Sequence, residues 1–300
     1  MLDMLDIRAV RNILLTALAP IIWGSTYIIT TEVLPPNMPL LASTVRALPA
    51  GILLLLICRT FPKGIWWLRI AVLGLLNIGA FFYFLFVAAE YLPGGTAALI
   101  MACQPIIVIL LSAYLLKTSL TIKHIISAIL GVIGISLLVL NSTISLNWQG
   151  VTAGFAGCGC MALGVVLTKY WNRPTNLSLL SFTGWQLTFG GLILLPIAVF
   201  IEGLPQNLTI TNLLGYSYLC LIGAVFSYIV WFRGIEKLPV VTISFLGFLS
   251  ALSACSLGYL FLKQTFSLPQ MLGAYTIIIS VWLSIPRSQI EKTNTLLLKK

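Results

Sequence analysis

Between residues 12 and 286 the chain runs through ten apolar segments, joined by connections too short to hold a soluble domain. The segments are 12–33, 39–57, 66–88, 93–116, 122–140, 148–169, 178–200, 212–232, 238–262 and 268–286. Each approaches the roughly 20 residues that a helix needs to cross a bilayer. Only 8% of residues are charged and 59% are hydrophobic, whereas soluble domains carry about 25% charged residues. Water could not solvate such a surface. The sequence therefore predicts an all-α integral membrane protein of ten transmembrane helices.

The net charge of +10 is distributed in a way that sets orientation. With the N-terminus inside, all basic residues but Arg46 and Lys263 fall in inside segments, which is 15 of 17. That is the positive-inside bias, and it places both termini in the cytoplasm. Dealt out in small numbers per loop, these charges do not form the single basic face that nucleic acid requires, so no nucleic-acid partner is expected. The first apolar run is too long, and lacks the small-residue end, for a signal peptide. Cys58, Cys103, Cys158, Cys160, Cys220 and Cys255 lie within or at the ends of spans. They suit packing better than disulfides or a metal site. Asn141-Ser-Thr and Asn207-Leu-Thr are formal glycosylation sequons with little weight.

One junction is written twice. Glu90 to Thr96 reads EYLPGGT and Glu236 to Thr242 reads EKLPVVT, at an offset of 146 (236 − 90). The offset also pairs Leu75 with Leu221, Phe86 with Phe232, Leu116-Lys117 with Leu262-Lys263, and Ala128 with Ala274. The chain thus divides into two five-helix repeats, 12–140 and 148–287. Because five is odd, the repeats are oppositely oriented. Inverted repeats are the architecture of secondary transporters, which bind substrate near the midplane where the halves meet.

Further motifs carry a family resemblance. They are WGSTY (Trp23–Tyr27), RALPAG (Arg46–Gly51), LPGGTAALIMACQP (Leu92–Pro105), MALGVVLTK (Met161–Lys169), FTGWQLT (Phe182–Thr188), WFRGIEKLP (Trp231–Pro239) and SFLGFLS (Ser244–Ser250). In this order they resemble EamA-type transporters of the drug/metabolite transporter superfamily, most of all the PecM branch of pigment exporters. The resemblance implies a multi-pass protein of the bacterial inner membrane that exports small metabolites. The chain departs from the family pattern at Ala251, where a proline matching Pro105 is usual, and at Thr118 and Gln264, where acids are common. Met161 stands where the sixth helix often has Trp. Unequal bending of the two halves is therefore expected.

Polar groups at depth supply the candidate substrate-binding residues. Thr16, Pro20, Trp23, Tyr27 and Thr30 or Thr31 share one face of the first helix. Trp23 near the bilayer centre needs a partner for its indole N–H, and either lines a cavity or packs between helices. Pro105 frees the Met101 carbonyl, which at that depth must face protein or a wet cavity, and Gln104 brings an amide beside it. Pro20 and Pro105 are thus the candidate kink and gating residues. Asn77, Trp185, Gln186, Ser250 and Ser253 complete the set, each equally able to bond a neighbouring helix. Arg46 lies well inside a span, where a charge costs roughly 2.5–3.5 kcal/mol. It either attracts an anionic group of the substrate or pairs with Glu32. Glu32 is also the one carboxylate placed for coupling to protons. A carboxylate paired with a cation keeps its charge, however, which makes a poor relay.

Rival classes fare less well. An intramembrane enzyme needs a clustered acid, base, nucleophile or metal. Here the single histidine, His124, sits at a helix edge, and the seven acids are terminal or at helix ends. No phosphate-binding loop is present, and no cofactor or metal is expected. The leading expectation is an alternating-access exporter of small amphipathic metabolites, such as amino acids or aromatic, pigment-like compounds. A lipid flippase or a non-transporting subunit remains the alternative. The expected partners are the small-molecule substrate and the lipid bilayer. The substrate itself and the oligomeric state stay open.

Overall fold

A computed structural model describes residues 7–92, 100–119, 121–138, 147–205, 207–262 and 267–285. Lys263, the first sequon and most of the first copy of the repeated junction lie outside these residues. Among the described residues all regular structure is helical. The helices are α1 (Ile7–Glu32), α2 (Pro39–Cys58), α3 (Trp66–Gly74), α4 (Ala80–Tyr91), α5 (Gln104–Leu115), α6 (Ile122–Leu138) and α7 (Trp148–Trp171). There follow α8 (Leu179–Ile201), α9 (Ile210–Cys220), α10 (Ser227–Lys237), α11 (Val240–Leu246), α12 (Leu249–Leu262) and α13 (Leu268–Ser284). A π-helical stretch, Leu75–Gly79, fuses α3 to α4, and another, Leu221–Phe226, fuses α9 to α10. Seven helical stretches among the described residues are long and apolar enough to cross a membrane, and α5, α6 and α13 are shorter apolar helices.

The helix ends follow from local sequence. Asn147 accepts from the Gln149 and Gly150 amides to start α7, and Ser178 accepts from Ser181 to start α8. Thr209 and Asn212 exchange a reciprocal pair of bonds at the start of α9, the capping box that satisfies otherwise orphaned donors. Pro39 opens α2, where its missing N–H costs nothing. Two further donors of α2 go to another helix: Leu40 N and Leu41 N donate to the two carboxylate oxygens of Glu202, each at 2.7 Å. Burial pushes the Glu202 carboxyl up, and the two amides pull it part of the way back.

Packing shows how the halves relate. Helices α6 and α13 stand 146 residues apart (268 − 122) and pack against each other. Ser280 Oγ donates to the Ser127 carbonyl at 2.7 Å, and Gln270 Nε2 to the Leu138 carbonyl at 3.2 Å. The start of one helix thus meets the end of the other, so the mates run antiparallel. Helices α2 and α8 repeat the arrangement. A Cβ on Gly51 would meet Thr188, and one on Gly191 would meet Leu48, all within 3 Å. Each contact is the image of the other at an offset of 140 (188 − 48 and 191 − 51). The glycines let the two backbones touch.

Two expected spans are broken. The fourth is interrupted at Ala102–Cys103, and Pro105 sits in the first turn of α5. Proline here opens a new helix where a kink within one was expected. The ninth is interrupted at Gly247–Phe248, between α11 and α12. The Phe248, Ser250 and Ala251 amides each reach back only three residues, at 3.1 Å, and Ser250 Oγ donates to the Gly247 carbonyl. The second half therefore breaks at the matching place without the proline. Pro20, by contrast, lies inside an uninterrupted α1.

Candidate substrate site

The second π-helical stretch presents one backbone carbonyl to two side chains from the other half. Trp23 Nε1 on α1 donates to the Gly223 carbonyl at 3.1 Å, and Arg46 Nη2 on α2 donates to the same oxygen at 2.8 Å. A carbonyl has two lone pairs and can take both. Arg46 Nη1 also lies 3.4 Å from Thr26 Oγ1. The guanidinium stands over the Phe82 ring at 5.4 Å and the Tyr228 ring at 5.8 Å, contacts of about 0.5–2 kcal/mol each. Only 5% of Arg46 is exposed. Trp23 packs on Tyr228 and Trp231, with ring centroids 5.1 and 5.0 Å apart. The result is a cation held in an aromatic cage at the junction of α1, α2, α4 and α10.

The first π-helical stretch has a counterpart. Asn77 is the 146-residue mate of Gly223 (223 − 77), and Gln186 is the 140-residue mate of Arg46 (186 − 46). Asn77 Nδ2 donates to Gln186 Oε1 at 3.0 Å and to Thr168 Oγ1 at 3.3 Å. Asn77 Oδ1 is buried without a hydrogen-bond partner among the described residues. Gly164 makes room for this amide, since a Cβ there would fall 2.2 Å from Asn77 Oδ1. The two nodes occupy image positions with different chemistry. One is charged and aromatic, the other neutral and amide-based.

The other candidates separate from these nodes. Trp185 points away from its neighbour Gln186: its Nε1 donates to the Thr60 carbonyl at 3.0 Å, and its ring packs on Phe61 and Trp67. Ser253 Oγ donates to the Ile21 carbonyl at 2.6 Å, joining α12 to α1. Ser250 holds the Gly247 break. Gln104 is half-buried at the start of α5. Glu32 ends α1 with its side chain exposed, while Arg46 turns inward. Tyr27 belongs to α1, but its side chain lies outside the described residues.

Sequence reasoning missed Thr26, Phe82, Gly223, Tyr228 and Trp231. The repeat offset from Asn77 could have pointed to Gly223, but a glycine carbonyl carries no side-chain signal. Lys169 was missed as well. Its Nζ donates to the carbonyls of Ile235, Glu236 and Leu238 at 2.8, 2.9 and 3.2 Å, so it caps α10 at the second copy of the junction. Arg173 pairs with Glu236 at 2.6 Å beside it.

Comparison with known proteins accords with this architecture. The chain is 49% identical over 255 residues to Protein PecM of Dickeya dadantii, covering 85% of this chain and 86% of that one. It is 31% identical over 302 residues to an uncharacterized transporter of Synechocystis, covering 92% and 91%. A WAT1-related chloroplastic protein of Arabidopsis thaliana is 30% identical over 280 residues, which is 87% of this chain and 66% of that protein. A solved crystal structure with 16% identity superposes with a TM-score of 0.76 over 91% of this chain and 97% of its own, a likeness of fold. Several apolar spans and bacterial transporter relatives mark a multi-pass protein of the inner membrane. The profile of one family matches twice, over residues 10–140 and 148–285, and the chain belongs to the EamA-like transporter family.

Proposed function

We propose that the protein is a secondary exporter of small amphipathic metabolites, such as amino acids or aromatic, pigment-like compounds, working by alternating access. In this reading ten spans form two inverted repeats, 12–140 and 148–287, with both termini cytoplasmic. The antiparallel mates α6 and α13 support the inversion. The observation that carries the reading is the meeting of Trp23 and Arg46 on the Gly223 carbonyl within a cage of aromatic rings. It joins α1 and α2 of one half to a π-helical stretch of the other, and such stretches are frequent at functional sites. A buried guanidinium suits a carboxylate or another anionic group, and the rings suit an apolar body.

The test compares metabolites in the medium of cells overexpressing the wild type and Arg46→Gln at equal membrane abundance. Compounds enriched by the wild type should fall about ten-fold or more with the variant, the scale of one lost charged hydrogen bond. Identical profiles would remove Arg46 from the site. No enrichment by the wild type would count against export itself.

A further inference from the structure

At the end of α2 remote from Glu202, a cleft of about 360 Å³ opens between α2 and α8. Its walls are Ile52, Leu55, Leu56, Phe61 and Trp185, with Arg59 and Thr60 at the end of the helix. From Ile52 to Arg59 the slot follows about 10 Å of helix. The loop is fastened in place: the Thr60 carbonyl accepts from Ser181 Oγ at 2.8 Å and from Trp185 Nε1 at 3.0 Å. Thr60 Oγ1, by contrast, is buried with no hydrogen-bond partner among the described residues. Phe61, Trp67 and Trp185 form a ring cluster with centroids 4.8–6.4 Å apart, in keeping with aromatic residues at a membrane–water interface.

The charge at this mouth is one-sided. Arg59 is exposed and Lys63 follows in the same loop. Arg69 nearby is stacked between Trp66 and Trp171, at 5.1 and 5.6 Å. The acids whose side chains are described lie elsewhere. Glu202 caps the opposite end of α2, Glu32 ends α1, and Glu236 is held by Arg173. A slot with an apolar body and a cationic mouth is complementary to a lipid tail below a negative headgroup.

We propose that this cleft is a binding site for an anionic phospholipid, with one acyl chain between α2 and α8 and the phosphate on Arg59. Guanidinium matches phosphate geometry with paired donors, and the Thr60 hydroxyl lies beside the headgroup end. The α2–α8 seam joins the two halves, so a lipid seated there touches both. The proposal requires only that α2 and α8 are embedded in the bilayer, whatever the protein transports.

Native mass spectrometry of the intact protein in detergent, titrated with phosphatidylglycerol and phosphatidylcholine of the same acyl chains, tests it. Phosphatidylglycerol should bind about five-fold more tightly, the scale of one basic residue near a lipid surface. Arg59→Asn, which suits the left-handed backbone at this position (φ 48°), should abolish the preference. Lys123→Gln, exposed at the start of α6, should keep it. Equal binding of the two lipids to the wild type, or a preference that survives Arg59→Asn, overturns the proposal. So does a preference lost equally in Lys123→Gln, which would mark a general surface-charge effect.

Discussion

Trp23 and Asn77 are both hydrogen-bonding side chains at depth, and the proposed function gives them different work. Asn77 is 1% exposed and, among the described residues, bonds to Thr168 of α7 and Gln186 of α8. Its replacement by alanine leaves Gln186 Oε1 without that donor, at a cost of about 1–3 kcal/mol. Asn77→Ala should therefore lower folded yield and melting temperature while surviving molecules transport normally. Trp23→Phe keeps a ring against Tyr228 and Trp231 but deletes the donor to Gly223. It should lower export severalfold at nearly normal yield. Flux per folded molecule, with yield measured by size-exclusion chromatography, separates the two. Equal loss of yield in both variants would make Trp23 a packing residue. Residue type alone could not distinguish these roles, because both side chains read as buried hydrogen-bond formers.

At the scale of elements, the α2–α8 seam depends on missing side chains. An alanine methyl at Gly191 would fall within 3 Å of the Leu48 backbone, so the helices must separate to admit it. Overpacking of this kind costs about 1–3 kcal/mol. Gly191→Ala should lower the melting temperature measurably, and an unchanged melting curve would mean that the seam is looser than described. The two π-helical stretches alter the helical phase within the third and eighth expected spans. Each shifts the phase of every later residue relative to a regular 3.6-residue repeat. A wheel drawn through 66–88 or 212–232 therefore assigns the wrong face to half of the helix. Phe82, Tyr228 and Trp231 all follow such a stretch, so a regular wheel would not bring them to the face that lines the cage.

For the whole molecule, inversion makes a sharp prediction. Cysteines at Lys117 and at its repeat mate Lys263 should react from opposite sides of the membrane, the first from the cytoplasm. Labelling of both from one side would end the five-plus-five reading. Energy coupling belongs to this scale too. Glu32, the one carboxylate the sequence placed for coupling to protons and judged a poor relay, is exposed at the end of α1. Flux in proteoliposomes should depend weakly on an imposed pH gradient, as expected of facilitated export. Strong uphill accumulation lost in Glu32→Gln would instead make Glu32 the coupling residue.

Local sequence was sufficient for the membrane, the all-helical class, the two-repeat pattern and the family, because each is written in short-range hydropathy and fixed offsets. Arg46 declared itself in the same way, since a charge inside an apolar run is visible without coordinates. What it touches was not visible. Trp23 and Gly223 are 200 residues apart, and their meeting depends on how α1 rotates about its axis and packs against a π-helical stretch. The break at Gly247–Phe248 was hidden for a similar reason. No proline marks it, and three-residue backbone bonds with the Ser250 hydroxyl produce it instead. Composition and periodicity act along the chain, whereas convergence of side chains is set by packing between segments distant in sequence. The tertiary structure alone decided which polar groups face one another.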